Sequence, residues 1–498
     1  ALVKLLEIEI QAQRFADAVD VLRRLLDVEG EPRKKAYYTF TIATIYRDHL
    51  DQPLDAVDYY QKTLDLDHDK LEAFQAVDEL LTRQKSWEAL ETAYRKMIGR
   101  VKDSGNQKLL FMLYKNLGEI YRSRLSRPDY AISSFELAAR LQPDAVQVHE
   151  ILAQLYEMTG DPSKAVAVHR TLAQADPERV ASYRQLLRFY REMGRVDEAW
   201  VASSVLVLLR KASAEEAAFY REHRAPALPA PQRALDTQLW TQGVFSRGES
   251  LQIGDIFQIL YEAVGHRVAG KDLKDIGLKK RDEVNVKDRT LFGNAFRMVT
   301  QLLGIPAPRV YLSEKHFGIH IEGTVPPVLI IGRDMMEQKT DRELAFVLGK
   351  HLTYFHPAHF FAGTFSSAAL KMLYTAALRF VHPEVKAETN AEDVESLRDE
   401  LSRKLSGPLA NRLAAAVEHF HGHGQVPSMS QWLTSVELTA NHAGLLACGD
   451  LETAARSLSQ ESISFSKLPP KDKVKDLVLY AISEEHLELR KRLGLGIG

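Results

Sequence analysis

Leu117-Gly118-Glu119-Ile120-Tyr121 and Leu152-Ala153-Gln154-Leu155-Tyr156 are one phrase written twice: an apolar residue, a small one, two spacers and a tyrosine. Tyr121, Tyr156 and Tyr190 recur at spacings of 35 and 34, and Ala131, Ala165 and Ala199 at 34 and 34. Ala56 to Ala89 spans 33 residues, and Ala18 lies a further 38 upstream. A fixed period of this length marks stacked supersecondary units, each too small to bury its own apolar face. The small residue (Gly118, Ala153) lets two helices approach, and the tyrosine fills the space beside it. Gly160-Asp161-Pro162 is a helix stop followed by a restart. About five to six units fit between Ala1 and Tyr220, the first incomplete and the one around Trp87 weakest in pattern. A generic helical bundle is the plain alternative.

These residues resemble the tetratricopeptide repeat, a pair of antiparallel helices of about 34 residues. The resemblance implies an α-superhelix whose concave surface holds a peptide or another protein. On the first helix of each unit, Arg184, Arg188 and Arg191 share one stripe, and Lys115 and Arg122 fall on the equivalent stripe of an earlier unit. Such a stripe favours an acidic peptide or a C-terminal carboxylate. The competing reading is a solvated charged face, neutralised by Glu119, Glu150, Glu157 and Glu192.

Composition narrows the function classes. The chain has 498 residues, 45% of them apolar and 27% charged, which suits two or more globular domains. A formal charge of −2 gives no field for nucleic acid or an anionic membrane. The single cysteine, Cys448, excludes an internal disulfide framework and a cysteine-based zinc site, and suits the cytoplasm. No apolar run is long enough for a membrane span; the longest candidate, Pro357 to Val381, is broken by Lys371 and Arg379 and reads as a buried helix. The chain opens with Ala1 inside an amphipathic pattern, so it is expected to begin within a longer natural sequence.

Past Ala225 the grammar changes. Ala-Pro-Ala-Leu-Pro-Ala-Pro-Gln over 225–232 reads as an extended, semi-rigid connector. The expected division is therefore repeats over 1–224, a proline-rich linker over 225–245, and an α+β domain over 246–498. Helices are expected over about Leu251–Val268 and Thr290–Leu303. Arg309–Glu314 and Gly318–Glu322 alternate like half-buried strands, and Pro327–Gly332 is apolar throughout, like a buried one. A helix from Asp341 to about Phe355 follows. The fold class is mainly α with a small sheet.

On that last helix, Val347-Leu348-Gly349 leads into Lys350-His351-Leu352-Thr353-Tyr354. Farther on comes Glu437-Leu438-Thr439-Ala440-Asn441-His442-Ala443-Gly444. From Thr290 to the end, the segment resembles the membrane-associated zinc metallopeptidases of the CAAX-prenyl-protease and HtpX type. Their active helix carries His-Glu-x-x-His after a similar apolar lead-in, and a later Glu-x-x-Ala-Asp-x-x-Gly supplies the third ligand. In that frame Lys350 and Tyr354 stand at the two imidazole positions, His351 at the general base, and Glu437 at the third ligand. Asn441 stands for the second-shell Asp. The resemblance thus implies a zincin-like domain that has lost its chemistry. An ammonium repels Zn²⁺, a phenol replaces imidazole poorly, and one remaining ligand of three is too few. No catalytic residue, metal or cofactor is assigned. Because a carboxylate left buried without its metal is costly, Lys350 is expected to pair with Glu437.

A relocated metal site is the rival reading. It would draw on His351, His356, His359 and His442, or on the run His419, His421, His423 that reads as a loop, and would make the chain a metal-dependent hydrolase. No phosphate-binding loop, dinucleotide fingerprint or Gly-x-Ser-x-Gly elbow is present. Cys448 sits on an apolar stretch as a packed thiol. The reading that needs only features present is a non-catalytic scaffold binding a protein or peptide, with no nucleic acid partner.

Overall fold

A computed structural model describes residues 2–228, 230–264, 272–387, 390–421, 428–461 and 466–497. By compactness the chain divides into two units, Ala1–Ala175 and Asp176–Gly498.

The first unit is ten helices: α1 (Leu2–Gln11), α2 (Phe15–Val28), α3 (Pro32–Asp48), α4 (Pro53–Leu66), α5 (Leu71–Arg83), α6 (Trp87–Val101), α7 (Gln107–Ser123), α8 (Pro128–Leu141), α9 (Val146–Thr159) and α10 (Pro162–Ala175). They pair successively, α1 with α2 through α9 with α10. Each hairpin turn closes on one residue in the left-handed region: Gln13, Asp51, Lys85, Ser126 and Gly160. Proline at the first helical position, where no amide partner is needed, starts α3, α4 and α8. The repeat anchors do what their sizes require. A Cβ on Gly118 would come within 2.9 Å of the Phe135 ring, so only glycine lets α8 lie against α7. Ala56, Ala131 and Ala165 are fully buried at the crossings. The tyrosines also stitch one pair to the next, with Tyr121 donating to Glu91 at 2.5 Å and Tyr156 to Glu136 at 2.6 Å.

The repeat grammar continues into the second unit. There α11 (Val180–Glu192), α12 (Val196–Leu208) and α13 (Ala214–His223) follow, with Gly194 at the same left-handed turn. The period alone places the division at 224, but compactness places it at 175, and the cause is long-range bonding. Helix α12 is buried on nearly all sides, from Ala199 through Leu206. Tyr220 donates to the buried Asp450 at 2.8 Å, and Arg224 reaches the same carboxylate at 2.7 Å. Asp197 receives Arg490 in a fork at 2.9 and 2.7 Å. The proline-rich segment is likewise fastened by hydrogen bonds at several points. Arg342 donates to the carbonyls of Ala225 and Ala227, Gln232 to that of Leu493, and Leu235 to that of Leu302.

The rest of the second unit is α+β. Among the described residues the sheet has three strands, β1 (Arg309–Leu312), β2 (Ile319–Glu322) and β3 (Val328–Ile331), in the order β1-β3-β2. β1 runs parallel to β3, and β2 antiparallel, with Ile319 opposite Ile331. All four β3 residues are buried, as its unbroken apolar run requires. Helices Leu251–Val264 and Leu291–Leu303 stand where the apolar periodicity places them, and the expected continuation of the first to Val268 lies outside the described residues. The segment Pro357–Val381 forms two helices, Phe360–Thr364 and Ser367–Val381, with Phe365 extended between them and Ser366 capping the second. No helix among the described residues is long and apolar enough to cross a membrane.

Two helices frame the region of interest: the lysine helix, Asp341–Leu352, capped by the Thr340–Glu343 box, and the glutamate helix, Met429–Cys448. They cross at glycines. A Cβ on Gly349 would lie 2.8 Å from the Ala443 carbonyl oxygen, and one on Gly444 would lie 2.8 Å from that of Phe346. Backbone cannot yield as a side-chain tip can, so Gly444→Ala is expected to cost the second unit about 1–3 kcal/mol in urea unfolding. Gly99→Ala in α6, with open space around it, should instead gain about 0.5–1 kcal/mol. Equal effects would show that the crossing is slack.

Candidate functional site

The helix crossing brings Lys350 and Glu437 together, 87 residues apart in sequence. Lys350 is 1% exposed and Glu437 fully buried. Their separation is 3.4 Å, and each has a closer partner. Lys350 Nζ lies 2.6 Å from Glu461, and Lys473 Nζ lies 2.6 Å from Glu437 Oε1 and 3.7 Å from Glu461. Glu437 Oε2 accepts the Ser466 amide at 2.8 Å. Two ammonium groups thus alternate with two carboxylates. Burial pushes the Glu437 carboxyl up, but Lys350, Lys473 and the Ser466 side chain together hold it below its ordinary value.

The other two positions of the frame also lie here. Tyr354 falls on a 3-10 turn, Thr353–Phe355, that ends the lysine helix short of Phe355. It is fully buried, and burial drives its phenol well above the usual range, which keeps it protonated. His351 points to the cleft beside β2 and meets the Val347 carbonyl through Nδ1 at 2.8 Å. Burial and the adjacent Lys350 push its pKa down to about 4.

These residues do not fit a zinc ion. Both oxygens of Glu437 already face hydrogen-bond donors, Lys350 brings an amine among them where zinc would need an imidazole, and Tyr354 offers a phenol in place of the other. The histidines of the rival reading separate into other roles. His359 meets Glu249 at 2.6 Å, and Glu249 also accepts from Thr439. His442 bridges the Val244 carbonyl and Asp476, stacked on Tyr480 at 3.8 Å. His356 packs among Trp240 and Phe245. Among the described residues no three His, Cys, Asp or Glu side chains are grouped to hold a metal ion. His423 and the side chains of His419 and His421 lie outside the described residues. Cys448 is fully buried, and burial raises its thiol to about 12.

The basic stripes are largely occupied within the chain. Arg184 pairs with Glu216 at 3.1 Å and donates to the Lys211 carbonyl, and Arg191 pairs with Glu215 at 3.1 Å. Arg188 faces Glu192 at 3.8 Å, and Arg122 forks onto Glu119. Lys115 takes part in no ion pair among the described residues. Glu119 and Glu192 are two of the carboxylates that face these cations, and α13 supplies two more that the repeat pattern does not foretell.

Sequence reasoning reaches Lys350 and Glu437 but misses Glu461, Lys473 and Glu249. Lys473 carried a signal, since it lies four residues before Leu477 on the buried face of helix Pro470–Ala481. Glu461 carried none.

No family model matches the chain, and no curated protein matches it. Solved structures match over part of it. MamA is 18% identical over 35% of this chain and 95% of its own, with a TM-score of 0.23. PilF of Pseudomonas aeruginosa is 21% identical over 45% and 96%, with a TM-score of 0.22. YrrB, described as a TPR protein with an unusual peptide-binding site, is 14% identical over 41% and 100%, with a TM-score of 0.25. The helical-hairpin architecture rests on the helices themselves.

Proposed function

We propose that this chain is a non-catalytic protein-interaction scaffold in which a metallopeptidase-like domain holds an ion cluster where its relatives in chemistry hold zinc. One observation carries this reading: the ammonium of Lys350, 1% exposed, stands between Glu437 and Glu461, where a divalent ion would need neutral imidazole. The repeats supply one recognition surface. A second is the cleft where Phe317, Gly318 and Ile319, at the start of edge strand β2, face Phe346, Val347 and His351 of the lysine helix. An extended peptide added along β2 would find main-chain partners and apolar neighbours there, with no activated water to cut it.

The test is elemental analysis of the purified chain combined with incubation against a panel of extended peptides. The expected result is zinc far below one per chain, a melting temperature indifferent to chelator, and peptides that bind intact. Stoichiometric zinc that disappears in Glu437→Ala, or cleavage stopped by chelator, overturns the proposal.

A further inference from the structure

A second pocket in the same unit lies away from the helix crossing, between the end of α13, the chain just beyond it, the start of the lysine helix and helix Leu451–Ser459. Four arginines line it, Arg221, Arg224, Arg342 and Arg456, against one carboxylate, Asp341. Their commitments differ. Arg342, 8% exposed, spends its guanidinium on the carbonyls of Cys448, Ala225 and Ala227, so no anion cancels its charge. Arg224 donates through Nε to Asp450, a fully buried carboxylate that also serves Tyr220 and the Thr453 amide. Arg456 is half exposed and reaches only as near as 3.8 Å to Glu343. Arg221 makes no hydrogen bond or ion pair among the described residues. The two helix starts are already capped, by Thr340 and by Asp450, so guanidinium groups and not helix amides are what the pocket offers.

We propose that this pocket binds a phosphoryl group. A single guanidinium fork satisfies a planar monoanionic carboxylate, whereas a tetrahedral dianion with three acceptor oxygens can use several arginines approaching from different elements. Arg221, Arg224 and Arg456 come from two separate segments around one opening and keep N–H donors to give. Arg342 beneath them raises the potential without competing for contacts. The site is independent of the scaffold reading.

The test is calorimetric titration of the full chain with pyrophosphate, a phosphoserine peptide and citrate at low salt, repeated on Arg221→Ser/Arg456→Ser. Both positions are on the surface, and an unchanged urea midpoint confirms the variant's fold; Arg221→Gln alone serves if it does not. One phosphoryl ligand per chain is expected, bound about 10- to 100-fold more weakly by the double variant. Tighter binding of the peptide identifies a phosphorylated partner, and tighter binding of pyrophosphate a small molecule. No saturable binding, equal binding by the variant, or citrate binding as tightly as the phosphoryl ligands overturns the proposal.

Discussion

Lys350→Met is expected to cost the second unit about 3–5 kcal/mol, the range seen when one partner of a buried ion pair is removed. The native cluster balances two ammonium groups against two carboxylates, all at most 17% exposed at the side chain. Without Lys350, the single ammonium of Lys473 faces both Glu437 and Glu461, and one negative charge is left uncompensated away from water. Adding Glu437→Leu restores balance, because Lys473 and Glu461 remain 3.7 Å apart. The double variant should therefore be more stable than Lys350→Met alone, even though it also removes the acceptor of the Ser466 amide. Urea unfolding followed by tryptophan fluorescence measures this directly, since Trp200, Trp240 and Trp432 all lie in that unit. A double variant as unstable as the single one would mean that charge balance is not what holds these residues together.

The same cluster marks how far sequence reading reaches. The 34-residue period made the helical hairpins legible because each anchor acts locally: Gly118 against Phe135, Tyr121 against Glu91. The motif frame likewise brought Lys350 and Glu437 together, because a helix fixes which residues share a face. What escaped was contact between distant segments. Glu461 meets Lys350 across 111 residues, and Asp450 meets Tyr220 across 230. Neither carboxylate sits in a pattern that sets it apart from an ordinary surface acid or helix cap. Compactness divides the chain at 175, ahead of the expected boundary at 224, for the same reason. Helices α11 and α12 spell a repeat as well as any earlier pair, but Arg490 pairs with Asp197 and lies over the Trp200 ring, and Tyr220 on α13 reaches Asp450.

Acid should unfold the second unit well above the pH at which carboxylates protonate. Three of its histidines are held neutral, in each case chiefly by burial. His351, pushed down to about 4, also feels Lys350 and His320, with the Val347 carbonyl and Glu437 pulling weakly the other way. His356, down to about 3, has His359 beside it, and His486, well below its ordinary value, has Arg490 and His442. An unfolded histidine titrates near 6.5, so below that pH the unfolded chain binds protons that the folded one refuses. The folded pKa values are depressed, so stability falls as pH drops from about 6.5 and levels off only near 4 for His351 and 3 for His356. Each site contributes up to about 1.4 kcal/mol per pH unit, so three together can remove about 4 kcal/mol per unit from a total of typically 5–15. Glu437 and Asp450, held below their ordinary values, add to the loss only once pH falls below about 4. A decline already steep between pH 6 and 5 therefore belongs to the imidazoles. Urea midpoints taken from pH 7 to 4.5 should show it, and His356→Phe, facing Trp240 and Phe245, should reduce the slope by about a third. A midpoint flat down to pH 5 would place these imidazoles in contact with water and remove the desolvation on which the prediction stands.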